Sequence, residues 1–583
     1  MAGPYSVKFE SDVPLMLRDG TMTYVDICRP DAAGGFPGLM LRTPYSKSEI
    51  ASRAWALDMI RAAQRGYAVV LQDIRGRHSS EGQFYPFINE ASDGHDSIEW
   101  VASQPWCSGK VGMFGSSYNG ATQWLAASAK PSHLGGIAPG VTASDYHEGW
   151  SWQGGAFELG FNMSWSVGSL TAANWQNLSK QLFLSPYQLD ALMVTQDNLM
   201  PAADHLPMNE YVELKSDLAP YYYDWMEHPE YDDYWKAVSI EEMHEDIVVP
   251  AFNYGGWYDI FIGGTVRNFM GMRESGGSEQ ARSLQRLVIG PWTHGGLQTS
   301  VAGERSFGAA SSTLADDVPG RILRFYDYLL HGEENGLTDD KPVRIFVMGD
   351  NVWREEDEWP LARAELTEYY LSSGGKANTL AGDGELAHDS PAESPPDVFL
   401  YNPMDPVPTN GGNLCCDVGT LVAGVFDQRA IETRGDVLVY TSRPMEADTE
   451  VTGPVVVTLY ASSSAVDTDF TAKLVDVRPD GYAANLCDGI IRARYRTPRQ
   501  PADLLEPGDV YEFTIDLGPT SNVFKKSHSI RVEISSSNFP RFDRNLNTGE
   551  PIGTTGESVP ALQTVFHDAR YPSRVTLPVA PRE

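Results

Sequence analysis

The sequence predicts a mixed α/β core, interrupted by a helical insertion and followed by an all-β domain. Three observations carry that architecture. Apolar strand-like runs alternate with helix-forming runs as far as Val343–Met348. A stretch rich in Trp, Tyr and Met, with helical spacing and little strand character, breaks the alternation from about Asp145 to Glu245. Beyond about Glu365, short β-rich runs are separated by Gly, Pro, Asp and Asn, and helical periodicity is scarce. The expected divisions are 1–144 and 246–360 for two parts of one core, 145–245 for a helical cap, and 361–583 for a jelly-roll β-sandwich.

Taken in order, Val13–Pro30 reads as a hairpin around an Arg-Asp-Gly turn, and Pro37–Arg42 as a strand running into Thr43-Pro44-Tyr45. A helix is expected over about Arg53–Arg65, a strand over Tyr67–Asp73 and a helix over Asp93–Ser103. Val111–Phe114 is a buried strand that meets Gly115, and after Gly120 comes a run of helix formers. Tyr187–Asn198 is an amphipathic helix of the cap. Val248–Tyr254 and Leu287–Gly290 resume the buried-strand pattern, with a helix expected over Ile322–His331. Alternation of this kind argues for a mostly parallel sheet covered on both faces. In the last part, strands are expected at Val437–Tyr440, Pro454–Tyr460, Phe470–Val477 and Ile530–Ser535, after a loop over about Gly374–Pro396.

Composition bounds the function. The 583 residues hold 78 Asp and Glu against 44 Lys and Arg, a net charge of −34. So acidic a chain repels nucleic acid and anionic membrane. No apolar run is long enough to span a bilayer, and the first residues lack a charged-then-apolar signal pattern. A soluble, cytoplasmic protein is expected, with monomer and homodimer both open. The five cysteines are too few and scattered for a disulfide framework, and no Cys/His cluster has zinc spacing. The adjacent Cys415 and Cys416 are expected to serve loop or pocket packing.

The segment Val111–Gly120 carries the chemistry. Strand, tight turn with Gly at both edges, then helix is the context of a nucleophile elbow, which lifts a serine to the top of a sheet. Ser117 has Gly115 two places before it, where a side chain would crowd the turn; Ser116 would have Phe114 there. Asn119 stands where such elbows usually carry Gly, and Asn tolerates unusual backbone angles. A serine nucleophile needs a base, and the base an orienting acid; α/β-hydrolases place them in the order Ser, Asp, His in loops after later strands. The loops Gly255-Gly-Trp-Tyr-Asp259 and Pro291-Trp-Thr-His294 qualify, whereas the other eleven histidines precede the serine or lie in the cap, after a helix or in the β-rich part. Taken alone, Asp259 would read as a turn former and Tyr45 as a core tyrosine.

Several stretches resemble the cocaine esterase and X-prolyl dipeptidyl peptidase family of α/β-hydrolases, which includes the α-amino-acid ester hydrolases. They are Arg42–Tyr45, Val70–Gly76, Ser80–Gly82, Gly112–Tyr118, Gly256–Asp259, Gly290–His294, Ser462–Leu474 and Ser535–Pro540. The resemblance spans nearly the entire chain. It implies Ser117 as nucleophile, His294 as general base and Asp259 as its orienter, with Tyr45 joining the Tyr118 backbone N–H in an oxyanion hole. It also matches Trp150, Trp165 and Phe261 to aromatic positions lining the acyl pocket; ordinary packing between cap and core is the alternative.

Departures limit the substrate. Family members that grip a substrate ammonium carry acidic residues just after the catalytic Asp, whereas Ile260-Phe-Ile-Gly follows Asp259 here. The region around Leu414-Cys-Cys-Asp417 also differs near the pocket rim. The expected function is a serine carboxylesterase acting on a small-molecule ester with an aromatic or bulky acyl group, through an acyl-enzyme, without metal or cofactor. The alternatives are an X-prolyl dipeptidyl peptidase or amide acylase with the same triad, and a carbohydrate-binding protein with an inert core.

Overall fold

The computed structural model describes residues 4–50, 52–53, 56–182, 184–214, 217–389, 393–416 and 419–582. The α/β core is one ten-stranded sheet. In chain order its strands are β1 (Val7–Met16), β2 (Met22–Pro30), β3 (Phe36–Thr43), β4 (Ala68–Asp73), β5 (Cys107–Ser116), β6 (Leu134–Gly140), β7 (Phe252–Tyr258), β8 (Arg286–Thr293), β9 (Val343–Val347) and β10 (Val352–Glu356). Their spatial order is β1-β2-β4-β3-β5-β6-β7-β8-β9-β10. The strands from β4 to β9 pair in parallel, while β1, β2 and β10 add antiparallel edges.

Burial on both faces explains why β3 and β4 read as largely apolar runs: every residue in them, as in β7, is buried. Alternate side chains serve opposite faces. Met40 and Val70 pack with Ile98, Trp124 and Leu125 from helices Glu90–Ala102 and Tyr118–Ser128. Leu39, Leu41 and Val69 pack with Met59, Ala62, Ile322 and Phe325 from helices Met59–Gln64 and Val318–Tyr326.

Between β6 and β7 the chain leaves the sheet and forms short helices, among them Leu159–Ser164, a π-helical turn at Trp165–Thr171, Pro186–Asp197 and Pro220–Glu227. After β10 an eleven-stranded, almost entirely antiparallel network follows. Its core is continuous with the sheet: Phe470, Phe513 and Val532 share one apolar cluster with Trp257 and Phe346. The β-rich part is thereby seated against β7 and β9, next to the loops that carry the site.

Several elements differ from the sequence reading. The first helix starts at Met59, because the Asp58 carboxylate caps it by accepting from the N–H groups of Ile60 and Arg61; Ala54 and Trp55 lie outside the described residues. Strand β7 begins and ends later than its apolar run and carries Gly255 and Gly256 inside the sheet. A Cβ on Gly256 would sit 2.2 Å from the Trp292 carbonyl oxygen, so this glycine marks a close approach of two strands and not a turn. Strand β8 likewise runs through Pro291, at a register irregularity between Gly290 and Thr293. The sheet also gains β10 after β9, and a strand at Glu385–Ala387 interrupts the loop expected over 374–396, of which Ser390–Ala392 lie outside the described residues.

Candidate active site

Parallel strands deliver four groups to one edge of the sheet: Tyr45 just after β3, Ser117 after β5, Asp259 after β7 and His294 after β8. Ligands of open α/β sheets bind beyond these carboxyl ends. Ser117 sits between β5 and helix Tyr118–Ser128 with φ 63° and ψ −130°, a strained geometry for a side chain-bearing residue. Its N–H is tied to the Gly140 carbonyl at 2.9 Å, which fixes the turn against β6. The flanking glycines are needed for space. A Cβ on Gly115 would lie 2.7 Å from the Asn119 Cβ, and one on Gly120 would lie 2.8 Å from Thr142.

One part of the elbow reading is corrected. Asn119 lies within the helix, and the left-handed backbone angle belongs to Ser117 itself. Tolerance of unusual angles is therefore not what Asn119 contributes; Gly120 supplies the close approach between helix and sheet.

A hydrogen-bonded chain runs from the serine. His294 Nε2 lies 3.0 Å from Ser117 Oγ, and His294 Nδ1 lies 2.7 Å from Asp259 Oδ1. Asp259 is fully buried, whereas His294 retains some exposure. With the carboxylate accepting the Nδ1 proton, Nε2 carries the lone pair that faces the serine hydroxyl. Asn413, from the β-rich part, donates to the carbonyls of Trp257 and Asp259 and so braces the loop from behind.

Tyr45 points at the same place. Its hydroxyl accepts a 3.0 Å hydrogen bond from Trp165 Nε1 and makes a second contact with Ser117. Burial pushes the phenol up to about 12, against a smaller pull down from those two hydrogen bonds. A neutral hydroxyl whose oxygen already accepts from Trp165 directs its proton toward Ser117, where a substrate oxygen could receive it. The Tyr118 N–H is available too, because as the first residue of its helix it has no carbonyl one turn back. The Tyr118 phenol itself is turned away, donating to Glu90 and accepting from the Phe87 N–H.

Arg77, which no sequence pattern singles out, is a further partner of this site. It is buried, donates to the Pro44 carbonyl at 2.7 Å and to the Ser169 carbonyl at 2.8 Å, and also bonds the Leu170 carbonyl. It thus ties the Tyr45 loop to the cap segment that carries Trp165. Burial draws its guanidinium down to about 10, which still leaves it charged near neutral pH.

Trp150, Trp165 and Phe261 pack against one another beside His294. Phe261 stacks on Trp150 with ring centroids 4.3 Å apart, Trp150 meets Trp165 edge-on, and the Phe261 ring stands edge-on to His294 at 5.2 Å. Phe161 and Trp225 flank Trp165 in stacked contacts and extend the aromatic cluster; their chain positions alone gave no sign of this. The Trp150 indole N–H has no hydrogen-bond partner among the described residues. Leu414 and Cys415 close the same apolar cluster, through a bridge between Leu414 and Asp259.

The cysteine reading needs correction here. Cys415 and Cys416 are joined by a disulfide, Cys415 buried and Cys416 exposed. Their sulfurs lie with a ring nitrogen of His294 within 4.8 Å of one another. The histidine lies 121 positions before Cys415, a separation that no local spacing rule detects. Asp417 lies outside the described residues.

A second Ser/His/Asp group in the β-rich part is built differently. His567 Nε2 and Ser373 Oγ both bond Asp397 Oδ2, and Tyr440 bonds it as well. His567 and Asp397 are fully buried. One imidazole nitrogen contacts both acid and serine, so nothing relays a proton, and the group is a structural knot.

Taken together, a strained serine elbow on a parallel sheet, with a histidine and a buried aspartate at successive strand ends, defines a serine hydrolase of the α/β-hydrolase fold. Comparison with known proteins then gives the family. A profile described as "X-Pro dipeptidyl-peptidase (S15 family)" matches residues 19–296, and one described as "X-Pro dipeptidyl-peptidase C-terminal non-catalytic domain" matches residues 335–576. The chain is 39% identical to the cocaine esterase of Rhodococcus sp. (strain MB1 Bresler) over the full length of both. It is 25% identical to a putative serine esterase of Mycobacterium tuberculosis, across 97% of this chain and 94% of the relative. Among solved structures, an α-amino acid ester hydrolase superposes with a TM-score of 0.79 at 25% identity, covering 99% of this chain and 97% of the other. An aminopeptidase from a marine sediment archaeon, Thaumarchaeota archaeon, superposes with a TM-score of 0.82, also at 25% identity and with the same coverage. The chain belongs to the cocaine esterase and X-Pro dipeptidyl-peptidase family, and it is a serine ester hydrolase. No helix among the described residues is long and apolar enough to cross a membrane.

Proposed function

We propose that the protein is a carboxylesterase for small esters with an aromatic or bulky acyl group, and that Ser117, His294 and Asp259 carry the reaction. The observation that supports this most is the unbroken chain from Ser117 Oγ through His294 to Asp259, with Phe261 of the aromatic wall packed edge-on against the same imidazole. Ser117 Oγ attacks the ester carbonyl as His294 Nε2 takes its proton, and the Asp259 carboxylate stabilises the imidazolium. The Tyr45 hydroxyl and the Tyr118 N–H donate to the oxygen as it becomes an oxyanion. His294 then passes its proton to the departing alcohol. Water attacks the acyl-enzyme with His294 again as base, and the acid leaves as Ser117 recovers its proton.

The acyl group occupies the wall of Trp150, Trp165 and Phe261, where flat rings and few polar atoms suit an aromatic group. The alcohol half faces the exposed side of His294, near Cys416. The residues after Asp259 favour an ester over a peptide N-terminus: Ile260 and Ile262 offer no carboxylate to a substrate ammonium.

Hydrolysis of an aryl benzoate and of Gly-Pro-p-nitroanilide, side by side with Ser117→Ala as the blank, tests this reading. Ester cleavage that is lost in the variant, without anilide cleavage, is the expected result. Efficient anilide cleavage would make the protein a dipeptidyl peptidase and overturn the assignment.

A further inference from the structure

The Cys415–Cys416 pair does more than fill the pocket rim. We propose that reduction of this disulfide opens a three-ligand site, formed by Cys415, Cys416 and His294, for a thiophilic divalent cation of the zinc or cadmium kind.

The ligand atoms are already gathered. Both sulfurs and a ring nitrogen of His294 fall within 4.8 Å of one another. Tetrahedral zinc, with bonds of about 2.3 Å to sulfur and about 2.0 Å to nitrogen, holds such atoms about 3.5–3.8 Å apart. Once the sulfur–sulfur bond is broken, the two side chains need only separate around the ion. Two thiolates and an imidazole are a donor set that favours soft or borderline ions over magnesium or calcium.

The histidine is presented as a metal ligand usually is. Its Nδ1 is held by the Asp259 carboxylate at 2.7 Å, the arrangement that fixes the orientation of a ligating imidazole. Nε2 is then the nitrogen that offers a lone pair. The cysteine strap cannot drift, because Asn413 donates to the carbonyls of Trp257 and Asp259 and Leu414 bridges to Asp259. Cys416 is exposed, which gives reductant and ion a way in. The chain's net charge of −34 raises the local concentration of cations.

The chemistry balances. A thiol or phosphine reductant supplies two electrons, and the disulfide takes these with two protons to become two thiols. The ion displaces both thiol protons to solvent and accepts the Nε2 lone pair, leaving its fourth position for water. His294 can then no longer take the Ser117 proton, so turnover stops. This last step rests on the role proposed for His294; the binding of the ion does not.

The test is a titration of phosphine-reduced full-length enzyme with cadmium chloride, after removal of excess phosphine. Thiolate-to-cadmium absorbance and ester hydrolysis are followed together. The expected result is one tight ion per chain, loss of activity over the same range, and recovery with a chelator. The disulfide form should need at least about tenfold more cadmium, as should reduced Cys416→Ser and, in the absorbance readout, reduced His294→Ala, since each lacks a ligand. Reduced and oxidised enzyme titrating alike would overturn the proposal. So would Cys416→Ser or His294→Ala binding as tightly as the parent. An ion bound with the expected dependence on reduction, Cys416 and His294, in an enzyme that keeps its activity, would uphold the site and refute His294 as the base.

Discussion

Replacing Tyr45 by Phe removes one oxygen and nothing else from the site. The hydroxyl lies between Trp165 Nε1, which donates to it at 3.0 Å, and Ser117. Because its oxygen accepts from the indole and its acidity is suppressed to about 12, it stays neutral in any ordinary assay and offers its proton to the substrate oxygen. The oxyanion then has two donors, Tyr45 and the Tyr118 N–H. Loss of one such donor costs about 2.7–4 kcal/mol in the transition state, or about 10²–10³ in kcat. The Phe ring keeps the packing, so KM for an aryl benzoate should stay within about threefold, as expected for an interaction made mainly in the transition state.

The variant also leaves the Trp165 N–H without its partner, which should lower stability by about 1–3 kcal/mol in urea unfolding. Trp165→Phe supplies the second arm. It keeps Tyr45 but removes the bond that orients it, so its loss in kcat should be smaller. Tyr45→Phe combined with Trp165→Phe should be little slower than Tyr45→Phe alone, since the two act through one hydroxyl. A Tyr45→Phe enzyme within about threefold of the parent kcat, or losses that simply multiply in the double variant, would refute this reasoning.

Other outcomes follow from the same geometry. Asp259→Asn should lower kcat by about 10⁴ with little change in fold, because an amide can donate to His294 Nδ1 and select the wrong tautomer; circular dichroism and steady-state kinetics check this. Gly120→Ala should cost about 1–2 kcal/mol in urea unfolding, since the new Cβ would lie 2.8 Å from Thr142 and the gain in helix propensity offsets only part of the clash. Burial lifts the Glu158 carboxyl to about 7, against the pull of Arg541, which also serves Asp488. Between its ordinary value of 4.5 and about 7, folded Glu158 keeps a proton that the unfolded chain has lost, so this group makes stability fall as pH rises through that window. Glu158→Gln removes that dependence. Its stability relative to the parent should therefore be higher at about pH 8 than at about pH 5, and an unchanged difference would remove Glu158 from the account.

The elbow was legible because its turn needs glycines at fixed places. Gly115 and Gly120 stand where a Cβ would collide with Asn119 and Thr142, and a local pattern records that need directly. Most strands and the helical insertion were legible from burial on both faces and from helical spacing. The composition of Gly255-Gly256 and Gly290-Pro291 misled, because glycine and proline read as turns although here both pairs lie inside strands, and Gly256 lets β7 and β8 approach closely. Long-range partners left no local trace. The indole of Trp165 on Tyr45, the guanidinium of Arg77 on Pro44, and the cystine beside His294 all join segments far apart in the chain. Only the fold brings them into contact, and each is a polar or sulfur contact that periodicity of apolar residues does not encode.

The central claim is that Ser117 carries the acyl group, and trapping the intermediate tests it most directly. The enzyme would be mixed with an activated aryl benzoate, quenched in acid during the first turnovers, and mapped by peptide mass spectrometry. The account predicts a benzoyl group on the peptide that contains Ser117, with fragmentation assigning it to Ser117 rather than Ser116, and none in Ser117→Ala. Benzoyl on another residue, or a burst of released alcohol with no acylated serine, would contradict it.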